Sequence, residues 1–152
     1  THPGTSIAHK TSAVKRAAQE LVAMRIREGR ALAKDTTGVL SRMHLQLKKI
    51  GSRAKIILKE RKATLTSEEL LSFQKSTDIN EEVARLTHYI QEFRLLLKSA
   101  TEVGKKLDFV AQEMQRETNT IGSKLQDQIV TNAVVALKSK IEKLREQAQN
   151  IE

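Results

Sequence analysis

Apolar residues recur along this chain at alternating spacings of three and four, the period of amphipathic helices that pack against one another. One such stripe consists of Thr36, Leu40, Met43, Leu47, Ile50, Ala54 and Ile57. Further stripes run through residues 79–100, 107–121 and 130–151. No segment favours a β-strand. We therefore predict an all-α protein, an elongated bundle of long antiparallel helices with coiled-coil-like packing and no β-sheet.

Turn and cap residues divide the chain into five predicted helices. The first covers residues 12–61, with candidate breaks at 36–38 and 51–52, so the region between residues 38 and 62 is either one rod or a hairpin. The others are expected over 67–75 after a Thr66 or Ser67 cap, over 79–101 after an Asp78 cap, over 104–123, and from 126 to the end. Residues 1–11 are polar and are expected to be a disordered tail or linker remnant, which leaves 12–152 as the helical domain.

Composition excludes several classes of protein. The chain has no Cys, so disulfides and thiolate metal sites are ruled out. It has one Pro and 3% aromatic residues. No apolar run approaches the roughly 20 residues that cross a bilayer, and no dinucleotide or phosphate-loop motif is present. We expect a cytoplasmic protein with no membrane partner and no small-molecule cofactor. Because the chain begins at Thr1 without Met, we also expect a fragment or a processed product.

Positive charge is concentrated in the first part of the chain. Residues 1–62 contain 15 Lys and Arg against 4 acidic residues, whereas residues 63–152 contain 12 against 14. A basic helical arm beside a region rich in carboxylates suits the attraction of a polyanion such as RNA. The alternative is a solvated basic helix. The aromatic residues (Phe73, Tyr89, Phe93 and Phe109) are too few to predict base stacking, so any RNA recognition should be through the backbone.

Two neighbouring predicted helices carry polar clusters. In the 79–101 helix, Glu81, Arg85 and His88 lie at i, i+4 and i+7, and Glu82 lies three positions before Arg85. A face of this kind can supply an imidazole and a carboxylate to one cation. The simpler interpretation is a surface salt bridge worth about 0.3–0.5 kcal/mol, with a histidine at the boundary of the core.

The 104–123 helix has the densest set of reactive side chains. Glu113 and Glu117 stack one turn apart, and Arg116 lies three positions beyond Glu113. If this face meets the His88 face, two or three carboxylates and one imidazole come together. Oxygen donors with one imidazole suit Mg²⁺ or Mn²⁺, whereas separate surface ion pairs would give a purely structural network.

Four separated segments resemble, in order, the C-terminal region of the YicC family of bacterial endoribonucleases. They are MRIREGRAL from Met24, DINEEVARLTHYIQEF from Asp78, LDFVAQEMQRETNTIGSK from Leu107 and TNAVVALKSKIEKLREQAQNIE from Thr131. The resemblance weakens between residues 40 and 75, and nothing in the chain resembles the family's N-terminal domain. It implies a metal-dependent endoribonuclease that hydrolyses RNA phosphodiester bonds, with this chain as its C-terminal helical domain and the missing N-terminal domain as a partner.

The polar clusters and the resemblance together give a predicted site. The predicted catalytic residues are His88, Glu113, Glu117, Arg116 and Arg85. The predicted ligands of Mn²⁺ or Mg²⁺ are Glu82, His88, Glu113 and Glu117. The predicted RNA-binding residues are Arg27, Lys105, Lys106 and Lys124. We also expect a homo-oligomer, because so short a chain offers few internal faces for its stripes. The alternative function is a non-catalytic helical scaffold that binds RNA or oligomerises.

Overall fold

A computed structural model describes the backbone of residues 3–99 and 103–151, and the side chains of residues 7–99 and 103–150. Its helices, in chain order, are α1 (Pro3–Lys62), α2 (Ser67–Thr77), α3 (Asn80–Leu97), α4 (Gly104–Lys124) and α5 (Gln128–Ile151). No strand occurs in the described residues, which confirms the all-α prediction. The chain divides into two compact units, with the boundary between Asp35 and Thr36.

In the first unit, the described part of the predicted disordered tail is helical. The helix begins at Pro3, so residues 3–11 are helical, while Thr1 and His2 lie outside the described residues. Proline is well accommodated in a first helical turn, where its missing N–H would have no helical partner. The segment that follows is rich in Ala, Lys, Arg and Glu, which favour helices even without burial. All side chains from Ile7 to Ala31 are exposed.

The question of rod or hairpin between residues 38 and 62 is answered by α1, which continues without a break to Lys62. Gly38 and Gly51 both lie within the helix, and no described glycine has a positive φ. A glycine in a helix costs about 1 kcal/mol relative to alanine. The stripe that runs past these glycines buries Leu47 and Ile50 almost completely, and burying each such side chain contributes about 1.5–3 kcal/mol. Packing therefore outweighs the two candidate breaks.

In the second unit, one stripe from each long helix fills a common core. The buried residues include Leu40, Met43, Leu47 and Ile50 of α1, Leu86, Ile90 and Phe93 of α3, Leu107, Val110, Met114 and Ile121 of α4, and Val130, Leu137, Ile141 and Leu144 of α5. These are the positions that the spacing of three and four predicted. Ala100 and the side chain of Ile151, which end two of the predicted stripes, lie outside the described residues.

Polar contacts between α1 and α5 show that these two helices are antiparallel. Near one end, the Thr36 hydroxyl donates to Gln147 Oε1 at 2.9 Å, and both side chains are buried. Near the other end, the Arg53 guanidinium donates to both carboxylate oxygens of Asp127 at 3.1 and 3.0 Å. Residue numbers therefore rise along α1 in the direction in which they fall along α5, which is an antiparallel arrangement.

The other neighbouring helices are antiparallel as well. Arg145 of α5 donates to Asp108 near the start of α4 at 3.1 Å. Lys124 at the end of α4 lies 2.6 Å from Glu82 near the start of α3. Together with the α1–α5 contacts, these pairs confirm the antiparallel arrangement of the long helices in this unit.

Local hydrogen bonds lie at the starts of α2, α3 and α5. Thr66 and Glu69 form the predicted capping box of α2, with the Thr66 hydroxyl accepting from the Glu69 amide at 3.3 Å. Asp78 accepts from the Asn80 amide at 3.0 Å, but the N-cap of α3 is Ile79. The predicted Asp78 cap is therefore wrong, and α3 begins one residue later than predicted. Asp127 accepts from the Ile129 and Val130 amides at 3.1 and 3.2 Å, which places the start of α5 at Gln128. No helix in the described residues is both long and apolar enough to cross a membrane.

Candidate active site on the α3–α4 face

The polar clusters of α3 and α4 meet through Arg85. Its Nη1 lies 3.5 Å from Glu117 Oε1 on α4, and its other terminal nitrogen contacts Glu81 one turn earlier on α3. The Glu117 side chain is only 5% exposed, whereas that of Arg85 is 48% exposed. The antiparallel packing of α3 and α4 brings these residues together, because each lies beside the buried stripe of its own helix. Two predicted catalytic residues are therefore neighbours across a helix interface.

Tyr89 lies among these charged groups and was missed as a site residue. Burial raises the pKa of its phenol, and the negative charges of Glu113 and Glu117 raise the pKa further, while Arg85 acts in the opposite direction. The phenol thus remains a hydrogen-bond donor to a higher pH than an ordinary tyrosine. Sequence reasoning considered Tyr89 only for base stacking. Its position one turn after Arg85 was the signal that could have identified it.

Glu82 is held by Lys124 and not by the other predicted metal ligands. Lys124 Nζ lies 2.6 Å from Glu82 Oε1 and donates to the Asp78 carbonyl at 3.2 Å. The hydrogen bond to Glu82 is the main cause that raises the pKa of Lys124. Glu82 is buried, and its Oε2 has no hydrogen-bond partner in the described structure. A predicted metal ligand and a predicted RNA-binding residue thus bind one another.

His88 and Arg116 lie at the solvent side of the face. The His88 side chain is 71% exposed, and its Nε2 lies 3.7 Å from Glu92 Oε2 on the same helix. The Arg116 side chain is 72% exposed, with Nη1 3.8 Å from Glu113 Oε2. Both residues can reach a bound polyanion, and neither bridges α3 to α4 in the contacts found.

The four predicted metal ligands are not gathered as a set within the chain. Among the residues that the structure describes, no three His, Asp or Glu side chains lie close enough together to hold a metal ion. The reason is the antiparallel pairing, which places Glu82 beside Lys124, while His88 extends outward beside Glu92. What remains on one helical face is the pair Glu113 and Glu117. Mg²⁺ is commonly bound by one or two carboxylates, with water and substrate phosphates completing its coordination.

The three predicted RNA-binding residues of α4 do not lie together. Lys105 and Lys106 are exposed in the first turn of α4, and Lys124 lies in its last turn, about 27 Å further along the helix at 1.5 Å per residue. Arg27 is exposed in the first unit. Beside the α3–α4 face, Arg85 and Arg116 expose their side chains.

A known protein family matches most of the chain. The family described as "Endoribonuclease YicC-like, C-terminal" matches residues 33–152. The chain belongs to this family. The match begins close to the boundary between the two compact units at Asp35 and Thr36. The match confirms the resemblance of the three later segments, whereas the segment from Met24 lies before the first matched residue.

Two curated relatives carry the name "Probable endoribonuclease YicC". The protein from Clostridioides difficile (strain 630) is 44% identical over 86 residues, which cover 57% of this chain and 29% of the relative. The protein from Haemophilus influenzae (strain Rd) is 32% identical over 148 residues, which cover 88% of this chain and 52% of the relative. The matched region thus spans about half the length of the second relative and less of the first.

Proposed function

We propose that this chain is part of an endoribonuclease and that the α3–α4 face carries its active site for hydrolysis of RNA phosphodiester bonds. Membership of the family and the names of the relatives support the reaction. The location of the site is supported by the buried Glu117 carboxylate, which faces Arg85 across the helix interface at 3.5 Å. Tyr89 lies close enough that Glu113 and Glu117 both raise the pKa of its phenol. With the guanidinium held by the carboxylate and the phenol beside it, this boundary can balance the charge of a phosphate and donate hydrogen bonds to it.

Each residue has a role that follows from its exposure. Arg85 and Arg116 expose about half or more of their side chains, so they donate to non-bridging phosphate oxygens and balance the charge that develops there. Glu117 holds Arg85 in position from the buried side. Tyr89 donates a hydrogen bond to the same phosphate or to its leaving oxygen. His88, the most exposed residue of α3 in this set, transfers a proton to or from solvent.

The proposal includes dependence on Mn²⁺ or Mg²⁺. The donor set of Glu113 and Glu117 fits a cation whose coordination is completed by water and RNA phosphate. Glu82 is left out because Lys124 lies only 2.6 Å from it, whereas Arg85 lies 3.5 Å from Glu117. When bound, such a cation neutralises phosphate charge and lowers the pKa of a coordinated water. A cytoplasmic location, a homo-oligomer and an additional N-terminal domain of the same protein also belong to this proposal.

The test is cleavage of single-stranded RNA by the purified protein with Mn²⁺. We expect Glu117→Gln and Glu113→Gln each to lower the rate by about 100-fold or more, with unchanged helix content by circular dichroism. Glu146→Gln on α5, an exposed residue, is the matched control and should cleave at the parent rate. If all three variants cleave at the parent rate, Glu113 and Glu117 are not part of the active site.

Metal binding has a separate readout in Tyr89, the single tyrosine of a chain without tryptophan. Paramagnetic Mn²⁺ held at Glu113 and Glu117 should quench the fluorescence of Tyr89, whereas Mg²⁺ should compete without quenching. Glu117→Gln should weaken the quenching, and Glu146→Gln should leave it unchanged. Quenching that is equal in all variants would show that Mn²⁺ does not bind at these carboxylates.

The second candidate function, a non-catalytic RNA-binding or oligomerisation scaffold, is favoured by a different observation. Both buried carboxylates of the face have cationic partners, Glu82 with Lys124 and Glu117 with Arg85, as in a structural ion-pair network. This candidate predicts that Glu117→Gln lowers the melting temperature, while RNA binding stays the same and the parent does not cleave RNA under any metal condition.

A further inference from the structure

A groove between α1 and α5 is separate from the α3–α4 face and has a different character. Its volume is about 590 Å³. The floor is apolar, with Leu45 of α1, Ile56 of α1 and Ile129 of α5 exposed by 57%, 49% and 49%. The rim is cationic, formed by Arg42, Lys48, Lys49, Arg53 and Lys140. We call this surface the α1–α5 groove.

The charges of the α1–α5 groove are of one sign. No acidic residue lines it, and residues 36–62 of α1 contain eight Lys and Arg against the single Glu60. Arg53 is the one lining cation with an ion-pair partner, Asp127, which holds α1 against the start of α5. For Arg42, Lys48, Lys49 and Lys140, no ion pair is found in the described part of the chain. Like charges crowded in this way repel one another unless an anion lies between them.

The floor of the α1–α5 groove argues against an apolar helix as its ligand. A docked amphipathic helix requires a continuous row of apolar contacts at spacings of three and four. Along α1, the corresponding row reads Leu45, Lys49, Ser52 and Ile56, so a lysine and a serine interrupt it for two successive turns. The separated apolar positions suit the faces of ribose or bases, while the cations suit the phosphates between them.

The length of the groove also fits a nucleic-acid strand. From Arg42 to Ile56, α1 advances about 21 Å at 1.5 Å per residue. At about 3.4 Å per nucleotide in a stacked strand, this length accommodates about six nucleotides. Proteins that bind single strands without sequence preference contact between about 4 and 16 nucleotides per binding domain.

We propose that the α1–α5 groove binds the phosphodiester backbone of single-stranded RNA. The choice of RNA as the polyanion rests on the proposed function, whereas the location rests on the cations and the interrupted apolar row. The groove holds the strand along α1 through Arg42, Lys49 and Lys140, at a distance from the carboxylates of the α3–α4 face. The residues that hold the strand in the groove are thus different from the residues proposed to act in cleavage.

The experiment measures binding of a fluorescent single-stranded RNA to the whole chain by anisotropy, with EDTA present so that no metal-dependent cleavage occurs. The groove variant combines Arg42→Gln, Lys49→Gln and Lys140→Gln. The matched control combines Lys59→Gln, Lys75→Gln and Lys98→Gln, three exposed lysines outside the groove, and has the same net charge. Both are titrated over a range of salt concentrations.

Loss of three phosphate contacts should weaken binding about 100-fold at about 0.1 M salt and should reduce the slope of log K against log salt by about 2, since each contact to a single strand contributes about 0.7. The control variant should retain most of the affinity and the slope of the parent. The proposal is overturned if the control loses as much affinity as the groove variant, because bulk charge then explains binding. It is equally overturned if the groove variant binds RNA like the parent.

The outcomes for the two proposals can be told apart. A parent protein that binds RNA through the groove but cleaves none with Mn²⁺ would contradict the endoribonuclease and leave the groove in place. A groove variant that binds and cleaves like the parent would contradict the groove and leave the α3–α4 site in place.

Discussion

The α3–α4 face and the α1–α5 groove belong to the same helical bundle, but they differ in how far their charged side chains are paired. On the α3–α4 face, Glu82 and Glu117 are buried and each has a cation from the facing helix. In the α1–α5 groove, one cation is bound to Asp127, and four others extend from the rim without an ion pair in the described structure. The first surface is organised by internal pairing, and the second has positive charge in excess.

This difference shows why the number of cations alone is a poor guide to an RNA-binding surface. Lys124 matches a family segment and lies in a charged region, but it is bound to a buried carboxylate. Lys49 lies outside the four segments in which the sequence resembles the family, and it borders an open groove. A cation whose charge is already neutralised by the protein adds little to the release of counterions that drives RNA binding. The state of pairing, and not the residue type, separates the two surfaces.

The largest effect on stability should come from unpairing the α3–α4 face. Lys124→Met leaves the Glu82 carboxylate buried without its cation, at a cost of about 2 kcal/mol in the free energy of unfolding. Lys49→Met in the groove should change this free energy by less than about 0.5 kcal/mol. Urea unfolding followed by circular dichroism measures both.

The double variant Lys124→Met with Glu82→Leu is the control for this explanation. Replacing both members of a buried ion pair with apolar residues restores much of the lost stability. A double variant no more stable than Lys124→Met would show that the pairing of charges is not what Lys124 contributes.

A smaller effect is expected where the groove is anchored. Asp127→Ala removes the N-cap of α5 and the partner of Arg53, and the cap alone is worth about 1 kcal/mol. The hydrogen bond from Arg53 is the main cause that lowers the pKa of Asp127 below its ordinary value of 3.8. Its stabilisation is therefore complete above the unfolded pKa and is lost as pH falls through the folded pKa.

Urea unfolding at about pH 7 and about pH 2 tests this prediction for Asp127. The difference between parent and Asp127→Ala should be close to its full value at the higher pH and should shrink at the lower pH. Glu60→Ala, an exposed residue of α1, should show little difference at either pH. A difference that stays constant with pH would exclude the ionised carboxylate as the cause.

The smallest expected effect is on the pKa of the Tyr89 phenol. Because burial and the neighbouring carboxylates raise the pKa of its phenol, the ultraviolet titration of this single tyrosine should have its midpoint above 10.0. Glu117→Gln should lower the midpoint, whereas Glu60→Gln should leave it unchanged. The raised pKa also predicts that stability declines as pH rises from the unfolded pKa through the folded pKa. A midpoint at the ordinary value would place Tyr89 outside the charged cluster.

Much of the fold could be predicted from the chain, because the spacing of apolar residues directly reflects which face of each helix is buried. Leu86, Ile90 and Phe93 were assigned to the core from spacing alone, and they are buried. The continuity of α1 could not be decided in the same way. A glycine such as Gly51 has a local cost, and the burial that compensates for it comes from helices distant in sequence.

The candidate site was only partly predictable for a related reason. Spacing on one helix identifies neighbours three or four positions apart, so the Glu113–Arg116 pair could be anticipated. The pairing of Glu82 with Lys124 joins residues 42 positions apart, and it depends on the relative alignment of α3 and α4. This alignment is set by packing of the whole core, and no local pattern contains it.

The hydrogen bond between Thr36 and Gln147 restricts how this bundle can move. A slide of α1 along α5 by one turn, about 5.4 Å, would separate the hydroxyl from the amide and leave both without this bond in an apolar interior. At the opposite end, the same slide would pull Arg53 from Asp127. Any opening of these helices should therefore be a spreading apart about one end, and longitudinal slippage should be the disfavoured motion.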